Sequence, residues 1–187
     1  MITFKDVSKT FGDQEVLKGL TFTIDEGEFF VLVGTSGSGK TTTLKMINRL
    51  IDPTSGSITI EGKDIKSYDL RDLRLNIGYV LQAGALFPNL TVYENIELIP
   101  AMKGWTKEKR REVITKNLDL VGLDSKQFLD RYPRELSGGE QQRVGILRAI
   151  VANPNILLMD EPFSALDPIC KYQLQDLIAK IHDDLKI

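Results

Sequence analysis

Two stretches near the N-terminus alternate between apolar and polar residues. Alternation with a period of two is typical of strands that bury one face. The apolar positions are Ile2, Phe4 and Val7 in the first stretch and Leu20, Phe22 and Ile24 in the second. The pattern predicts two half-buried strands that pair antiparallel.

The next apolar run shows no alternation. Residues 29–33 are continuously apolar, as expected for a strand buried on both faces of a parallel sheet. They lead into a glycine-rich stretch and then into a helical pattern in which Leu44, Ile47 and Leu50 share one face. The segment predicts a strand, a tight loop and a helix, in that order.

Shorter apolar runs predict the remaining strands. Residues 55–65 predict a hairpin that is punctuated by Gly56 and Gly62, because glycine marks tight turns. Residues 77–81 predict another strand, and Ile156–Met159 predicts a buried one.

Helical periodicity dominates from Pro88 to about Pro133 and returns after Ser137. Ser137 and Glu140 have the spacing of a capping box, in which each side chain accepts a hydrogen bond from the other residue's backbone N–H. The clearest predicted helices span about residues 108–123, 137–150 and 168–185.

The composition restricts the function classes. The net charge of the 187 residues is -2, which disfavours a nucleic-acid partner because such proteins need many positive charges. The single cysteine, Cys170, excludes an intrachain disulfide and fits a reducing compartment. No signal peptide is visible, and the apolar runs are far shorter than the roughly 20 residues that span a bilayer. We expect a cytosolic chain that reaches a membrane only by recruitment.

The glycine-rich stretch matches the pattern G-x-x-x-x-G-K-[ST]. Glycines let backbone N–H groups turn toward phosphate oxygens, and the following helix adds its positive end. Lys40 then supplies a charge to the β- and γ-phosphates, and Thr41 offers a hydroxyl to Mg²⁺. The predicted strand before the loop and helix after it favour this interpretation over a simple Gly/Ser turn. The predicted nucleotide-binding residues are Gly34, Thr35, Ser36, Gly37, Ser38, Gly39, Lys40, Thr41 and Thr42.

Two acidic residues follow the predicted strand Ile156–Met159. In P-loop ATPases an Asp in the place of Asp160 holds Mg²⁺. A neighbouring carboxylate, here Glu161, can polarise the attacking water as a general base. The alternative is an ordinary acidic turn before a proline.

Residues 136–143 (LSGGEQQR) resemble the signature motif of the ABC ATPases. The resemblance extends to Gln82, placed like the glutamine of the Q-loop, to residues 164–167 (SALD), which are similar to the D-loop, and to Phe11, placed like the aromatic residue that stacks on adenine. It covers essentially the whole chain. It implies a single ABC ATPase domain (residues 1–187) of the α/β class: a P-loop NTPase (RecA-like) core, an N-terminal antiparallel β subdomain and an α-helical subdomain inserted at about residues 88–135.

The same resemblance implies an enzyme that hydrolyses ATP with Mg²⁺. It also implies a head-to-tail homodimer of two copies, with ATP between the phosphate loop of one copy and the signature of the other. A serine hydroxyl and glycine N–H groups at a helix start agree with such an anion site, although a capped helix with no further role is the alternative. The implied signature contacts are Ser137, Gly138, Gly139 and Gln141; the implied metal ligands are Thr41, Gln82 and Asp160; the implied catalytic residues are Glu161, Lys40 and Gln82.

A narrower resemblance concerns the transported substrate. Residues 40–65 and 77–100 are similar to the ATPase subunits of glycine betaine, carnitine and choline importers. This implies transmembrane permease subunits as partners, a substrate-binding protein as an indirect one, and a peripheral location on the cytoplasmic face of the cell membrane.

The sequence departs from the family pattern at its C-terminus. The family continues with a buried strand that ends in a switch histidine, whereas His182, the single histidine, lies in the last predicted helix. We interpret His182 as an exposed helical residue, and we expect a gap in the central sheet and poor ATP hydrolysis by the chain alone. A nucleotide-binding but hydrolytically impaired fragment is therefore one alternative function. A non-transport ABC ATPase is the other, although neither the large insert of repair types nor the second cassette of translation types is present.

Overall fold

The computed structural model describes residues 1–82, 85–164 and 166–187. They form two compact units, an N-terminal unit of residues 1–74 with Ile187 and a C-terminal unit of residues 75–186. The strands are β1 Ile2–Phe11, β2 Gln14–Ile24, β3 Ser55–Ile60, β4 Lys63–Asp64, β5 Ile77–Val80 and β6 Ile156–Met159. The α-helices are α1 Lys40–Ile47, α2 Leu70–Leu75, α3 Val92–Met102, α4 Lys107–Leu120, α5 Ser125–Phe128, α6 Gly138–Ile150 and α7 Pro168–Leu185.

The N-terminal unit contains an antiparallel sheet with the strand order β2-β1-β3-β4. The two predicted N-terminal strands and the hairpin are therefore confirmed. Phe4 is fully buried, and its ring stacks on Phe22 with centroids 4.5 Å apart. The hairpin turn at Glu61 and Gly62 has φ values of 52° and 77°, which suit the primed turns that join twisted strands.

Helix α1 follows the glycine-rich stretch as predicted, but its buried face differs from the predicted one. Leu50 is 51% exposed and lies beyond the helix, because Arg49 adopts a left-handed φ of 52° that ends the helical path. The buried residues of α1 are Thr43, Met46 and Ile47.

The prediction of a buried strand at residues 29–33 is wrong. These residues form no strand, and Phe29, Val31 and Val33 are 56%, 62% and 90% exposed. A strand needs a neighbouring strand to pair its backbone N–H and C=O groups, and neither of the two sheets in the described residues includes this segment. The ring of Phe30 stacks on the ring of Phe22, with centroids 5.1 Å apart.

The C-terminal unit contains β5 and β6 as a parallel pair. Both predicted strands are confirmed, although β5 ends at Val80, and within β6 it is Leu158 that is buried while its neighbours are half-buried. Helix α6 packs closely on β5 at Gly78, where an added Cβ would lie 2.5 Å from the carbonyl oxygen of Ala149. Glycine at this position lets the helix approach the strand.

The boundaries of α6 and α7 follow the sequence signals closely, whereas the helix predicted at about residues 108–123 spans Lys107–Leu120. Ser137 and Glu140 form the predicted capping box of α6, and α7 spans the predicted residues. His182 lies within α7 but is half-buried, with a side chain 28% exposed and its Nδ1 atom 3.5 Å from Asp183. In the described ranges no helix has both the length and the apolar character needed to span a membrane.

Candidate functional site

The predicted phosphate loop is a tight turn at the start of α1. Gly37 and Gly39 have φ values of 81° and 89°, in the left-handed region that glycine adopts without strain. A Cβ on Gly34 would lie 2.5 Å from the Oγ atom of Ser38, so the loop folds back closely on itself. The loop leads directly into the N-terminus of α1, and the positive end of a helix favours an anion.

The ammonium group of Lys40 lies against this loop. Its ammonium group donates hydrogen bonds of 2.9 Å to the carbonyl oxygens of Gly34 and Thr35. Thr43 ties the first turn to the loop, because both its backbone N–H (2.8 Å) and its hydroxyl (3.0 Å) donate to Gly39. The structure thus brings the lysine together with the loop that the motif assigns to it.

Strand β2 passes beside the loop, which the sequence analysis missed. A Cβ on Gly39 would lie 2.6 Å from the Cδ2 atom of Leu17. Phe11 lies at the end of β1 with 45% exposure, and the ammonium of Lys9 is 4.8 Å from its ring centroid. An exposed ring face of this kind can stack on a planar heterocycle.

The acidic pair follows β6 in the C-terminal unit. The backbone N–H of Asp160 donates to the carbonyl of Val80 at 3.0 Å, which extends the ladder between β5 and β6 by one residue. The hydroxyl of Tyr79 donates to the Oδ2 atom of Asp160 at 3.4 Å. Burial and the adjacent carboxylate raise the pKa of Tyr79 to about 12, so the phenol keeps its proton at neutral pH. No sequence pattern singles out Tyr79.

Glu161 stands at a sharp turn of the backbone. Its φ of 47° is left-handed, which costs a non-glycine residue about 1–2 kcal/mol. The turn is closed by Ser164, whose backbone N–H (3.0 Å) and hydroxyl (2.8 Å) both donate to the carbonyl of Glu161. Strained backbone of this kind is frequent at functional sites, and the side chain of Glu161 is exposed.

The signature residues form the N-terminus of α6. The hydroxyl of Ser137 donates to the carboxylate of Glu140 at 2.8 Å, and the backbone N–H of Glu140 lies 3.3 Å from the same hydroxyl. The side-chain amide of Gln141 donates to the carbonyls of Pro133 and Leu136 at 3.1 Å. These contacts fix the turn that leads into the helix. Gly138 stands in open space, since a Cβ added there would have no neighbour among the described residues within 4 Å.

Arg143 connects the signature helix to its neighbours, a role that the sequence analysis missed. Its guanidinium donates to the carbonyl of Val121 at 3.3 Å and to the amide oxygen of Gln173 on α7 at 2.8 Å. A cavity of about 250 Å³ is lined in part by Arg143, Gln173, Ser137 and Gly139. Cys170 also lines the cavity, and a hydrogen bond with Asp167 raises the pKa of its thiol.

The two remaining predicted segments lie at element ends. Gln82 is exposed and lies in a turn two residues after β5. In the D-loop segment, Asp167 caps α7 by accepting hydrogen bonds of 3.0 Å from the N–H groups of Ile169 and Cys170. Ala165 of that segment lies outside the described residues.

The candidate residues are divided between the two units. Phe11 and the loop residues Gly34, Thr35, Ser36, Gly37, Ser38, Gly39, Lys40, Thr41 and Thr42 lie in the N-terminal unit, and Gln82, Ser137, Gly138, Gly139, Gln141, Asp160 and Glu161 lie in the C-terminal unit.

The donor chemistry of the predicted metal ligands fits Mg²⁺. Thr41, Gln82 and Asp160 offer hydroxyl, amide and carboxylate oxygens, and Mg²⁺ is usually bound by one or two carboxylates together with substrate phosphates. In the described part of the chain no group of three or more His, Cys, Asp or Glu side chains is placed to hold a metal ion. A metal here would therefore depend on phosphate oxygens as well.

Comparison with known proteins adds evidence independent of this geometry. A family model described as ABC transporter matches residues 17–164. The chain is 50% identical over 186 residues to the carnitine transport ATP-binding protein OpuCA of Listeria monocytogenes, covering 99% of the chain and 47% of that protein. It is 46% identical to the osmoprotectant import ATP-binding protein OsmV of Salmonella typhimurium, covering 100% of the chain and 50% of that protein. The chain thus spans about half the length of the curated relatives it matches.

Solved structures agree with the sequence comparison. The post-hydrolysis dimer of the ATP-binding cassette MJ0796, bound to ADP and Pi, matches with a TM-score of 0.87 and 36% identity. The match covers 98% of this chain and 84% of that one. It confirms the predicted fold class, an α/β P-loop NTPase.

Proposed function

The chain belongs to the ABC transporter family, and on that premise we propose that it is the subunit that binds and hydrolyses ATP to drive the import of a quaternary amine. The observation that carries the proposal is the phosphate loop, in which Lys40 is held 2.9 Å from the carbonyls of Gly34 and Thr35 at the start of α1. This arrangement combines a fixed positive charge with a helix N-terminus. Both favour a bound polyphosphate.

Each predicted side chain has a distinct role toward ATP. Lys40 would neutralise the β- and γ-phosphates, the hydroxyl of Thr41 and the carboxylate of Asp160 would hold Mg²⁺, and Phe11 would stack on the adenine. When bound, Mg²⁺ withdraws charge from the phosphate oxygens. Glu161 accepts a proton from the attacking water as a general base, and the closed turn from Glu161 to Ser164 holds its backbone for that task.

The proposed assembly is a homodimer of this chain with transmembrane permease subunits. Gln82 would sense the metal or the water and report the nucleotide state to the permease. Ser137, Gly138, Gly139 and Gln141 would contact ATP held on the phosphate loop of a second copy. The MJ0796 structures, which are dimeric, support this arrangement, and the chain would work as a peripheral protein on the cytoplasmic face of the membrane.

The proposed substrate class rests on the relatives. Several of the matched relatives carry names that specify carnitine, choline, glycine betaine or osmoprotectant transport. No residue of an ATP-binding subunit needs to contact such a substrate, which the permease and a substrate-binding protein would handle. The structure of this chain supports the proposal of ATP binding, and the proposed transported substrate rests on the relatives alone.

Nucleotide binding tests the proposal. A fluorescent ATP analogue is titrated into the purified chain, its Lys40→Ala variant and a matched Lys45→Ala variant, which also removes a lysine from α1. We expect Lys40→Ala to weaken binding at least tenfold and Lys45→Ala to change it less than twofold, since it is Lys40 that the loop holds. Equal binding by all three proteins would refute the proposal.

A nucleotide-binding but hydrolytically impaired chain is the second candidate. The observation that favours it is the exposure of residues 29–33 directly before the phosphate loop, with Val33 90% exposed. A loop whose preceding segment lacks sheet partners among the described residues is held less rigidly, and catalysis depends on positioning. Tight ATP binding without phosphate release would select this candidate.

A further inference from the structure

The register of β5 and β6 sets the position of Tyr79. In this parallel pair Tyr79 lies opposite Leu158, and Val80 lies opposite Met159. Side chains alternate between the faces of a strand, so Leu158 and Asp160 share a face. Tyr79 therefore lies on the same face of the sheet as Asp160, beside the residue two positions before it.

The side chain of Tyr79 reaches along this face to Asp160. Its hydroxyl donates to the Oδ2 atom of Asp160 at 3.4 Å, while the next residue of the same strand, Val80, accepts the backbone N–H of Asp160 at 3.0 Å. Two successive residues of β5 thus hold the backbone and the carboxylate of Asp160. Because its backbone N–H and one carboxylate oxygen are both held, Asp160 has a restricted side-chain rotation.

A hydrogen bond of this kind matters for metal binding. Groups that donate to a metal-ligating carboxylate orient it, and their loss typically weakens metal affinity by about tenfold to a hundredfold. A phenol suits the task because it carries one donor on a rigid ring. The contact here is long for a hydrogen bond, which points to an effect at or below the lower end of that range.

We propose that Tyr79 is a positioning residue for the carboxylate of Asp160 and that its hydroxyl sets the affinity of the chain for the divalent cation that accompanies ATP. The inference rests on the proposed function, because it assigns Asp160 to the cation. Tyr79 itself contacts neither the metal nor the nucleotide in this proposal.

The test is a Tyr79→Phe variant, which removes only the hydroxyl. Binding of a fluorescent ATP analogue is measured first in EDTA and then during a titration with free Mg²⁺. We expect affinity in EDTA to be unchanged within twofold, and the Mg²⁺ concentration for half-maximal enhancement to rise about threefold to tenfold. Direct binding of Mn²⁺ in the presence of nucleotide, followed by its electron paramagnetic resonance signal, should weaken in parallel.

A matched control removes another partly buried tyrosine hydroxyl. Tyr93→Phe alters α3, where the hydroxyl of Tyr93 is buried and has no hydrogen-bond partner in the part of the chain that the structure describes. We expect its Mg²⁺ titration to match the wild type. This variant separates the effect on Mg²⁺ affinity from the general effect of removing a tyrosine hydroxyl.

The outcomes distinguish the two proposals. An unchanged or tighter Mg²⁺ response in Tyr79→Phe overturns the positioning role, and so does an equal loss of affinity with and without Mg²⁺, which indicates general destabilisation. If wild-type binding does not depend on Lys40, the proposed function itself fails, and no cation response is seen in any variant.

Discussion

Asn95 determines the conformation of the loop that precedes α3. Its side chain is fully buried, its Oδ1 atom accepts the backbone N–H of Phe87 at 2.8 Å, and its Nδ2 atom lies 3.0–3.1 Å from the carbonyls of Phe87, Leu90 and Thr91. We predict that Asn95→Ala destabilises the protein strongly. The change removes every one of these contacts and leaves a small void.

The magnitude follows from the number of hydrogen bonds. An amide NH₂ has two protons to share among the three carbonyls, so the side chain makes about three effective bonds with its acceptor included. Each neutral bond contributes about 1 kcal/mol net. Water reaches part of this loop, where Phe87 is 54% exposed, and replaces some of the loss. The expected decrease in the free energy of unfolding is about 2–3 kcal/mol.

Urea denaturation measures this change. Trp105 is the single tryptophan and follows α3, so its fluorescence reports on the same part of the C-terminal unit. The matched control is Asn117→Ala on α4, where the side-chain amide donates to the carbonyl of Val113 at 2.8 Å. That variant should lose no more than about 1 kcal/mol.

The losses of unfolding free energy in Asn95→Ala and Asn117→Ala are compared to test this prediction. If Asn95→Ala loses no more unfolding free energy than Asn117→Ala, the side chain of Asn95 does not organise the loop. The reasoning from buried hydrogen bonds would then be wrong for this segment.

Two further predictions concern backbone positions. Gly78→Ala should lower the free energy of unfolding by about 1–3 kcal/mol, because the new Cβ would lie 2.5 Å from the carbonyl oxygen of Ala149, which cannot move without shifting α6. Gly138→Ala, which places its Cβ in open space, should change the free energy of unfolding little in the same urea denaturation assay. Equal losses in the two variants would contradict the packing argument. Glu161→Gly should not lower stability, because it relieves a left-handed residue with φ of 47°, whereas Glu112→Gly in α4 should lose about 1 kcal/mol; an equal loss in both variants would argue against strain at Glu161.

Features that depend on neighbours in sequence were predicted well. The capping box of Ser137 and Glu140 involves residues three apart, and the structure forms it. The α7 boundaries follow from Asp167 as a cap and Pro168 in the first turn. The phosphate-loop motif also specifies its own local geometry, since Gly37 and Gly39 adopt the left-handed φ values that the turn needs.

Features that depend on distant partners were not predicted. The apolar run at residues 29–33 has the composition of a buried strand, but a strand forms only where another strand pairs with it, and periodicity carries no information about that partner. The contact between Tyr79 and Asp160 joins residues 81 positions apart and requires the β5–β6 register. The bond from Arg143 to Gln173 likewise links two helices. These residues carry no sequence pattern that sets them apart.

Phosphate release from ATP tests the central claim most directly. It is measured for the wild-type chain, for Glu161→Gln and for Glu112→Gln, which neutralises an exposed carboxylate on α4. We expect slow release by the wild type, a decrease of about a hundredfold or more in Glu161→Gln with ATP binding retained, and no change in Glu112→Gln, because a general base contributes about 10²–10⁴ to the rate. Release by Glu161→Gln at the wild-type rate would contradict the assignment of Glu161 and with it the proposed mechanism.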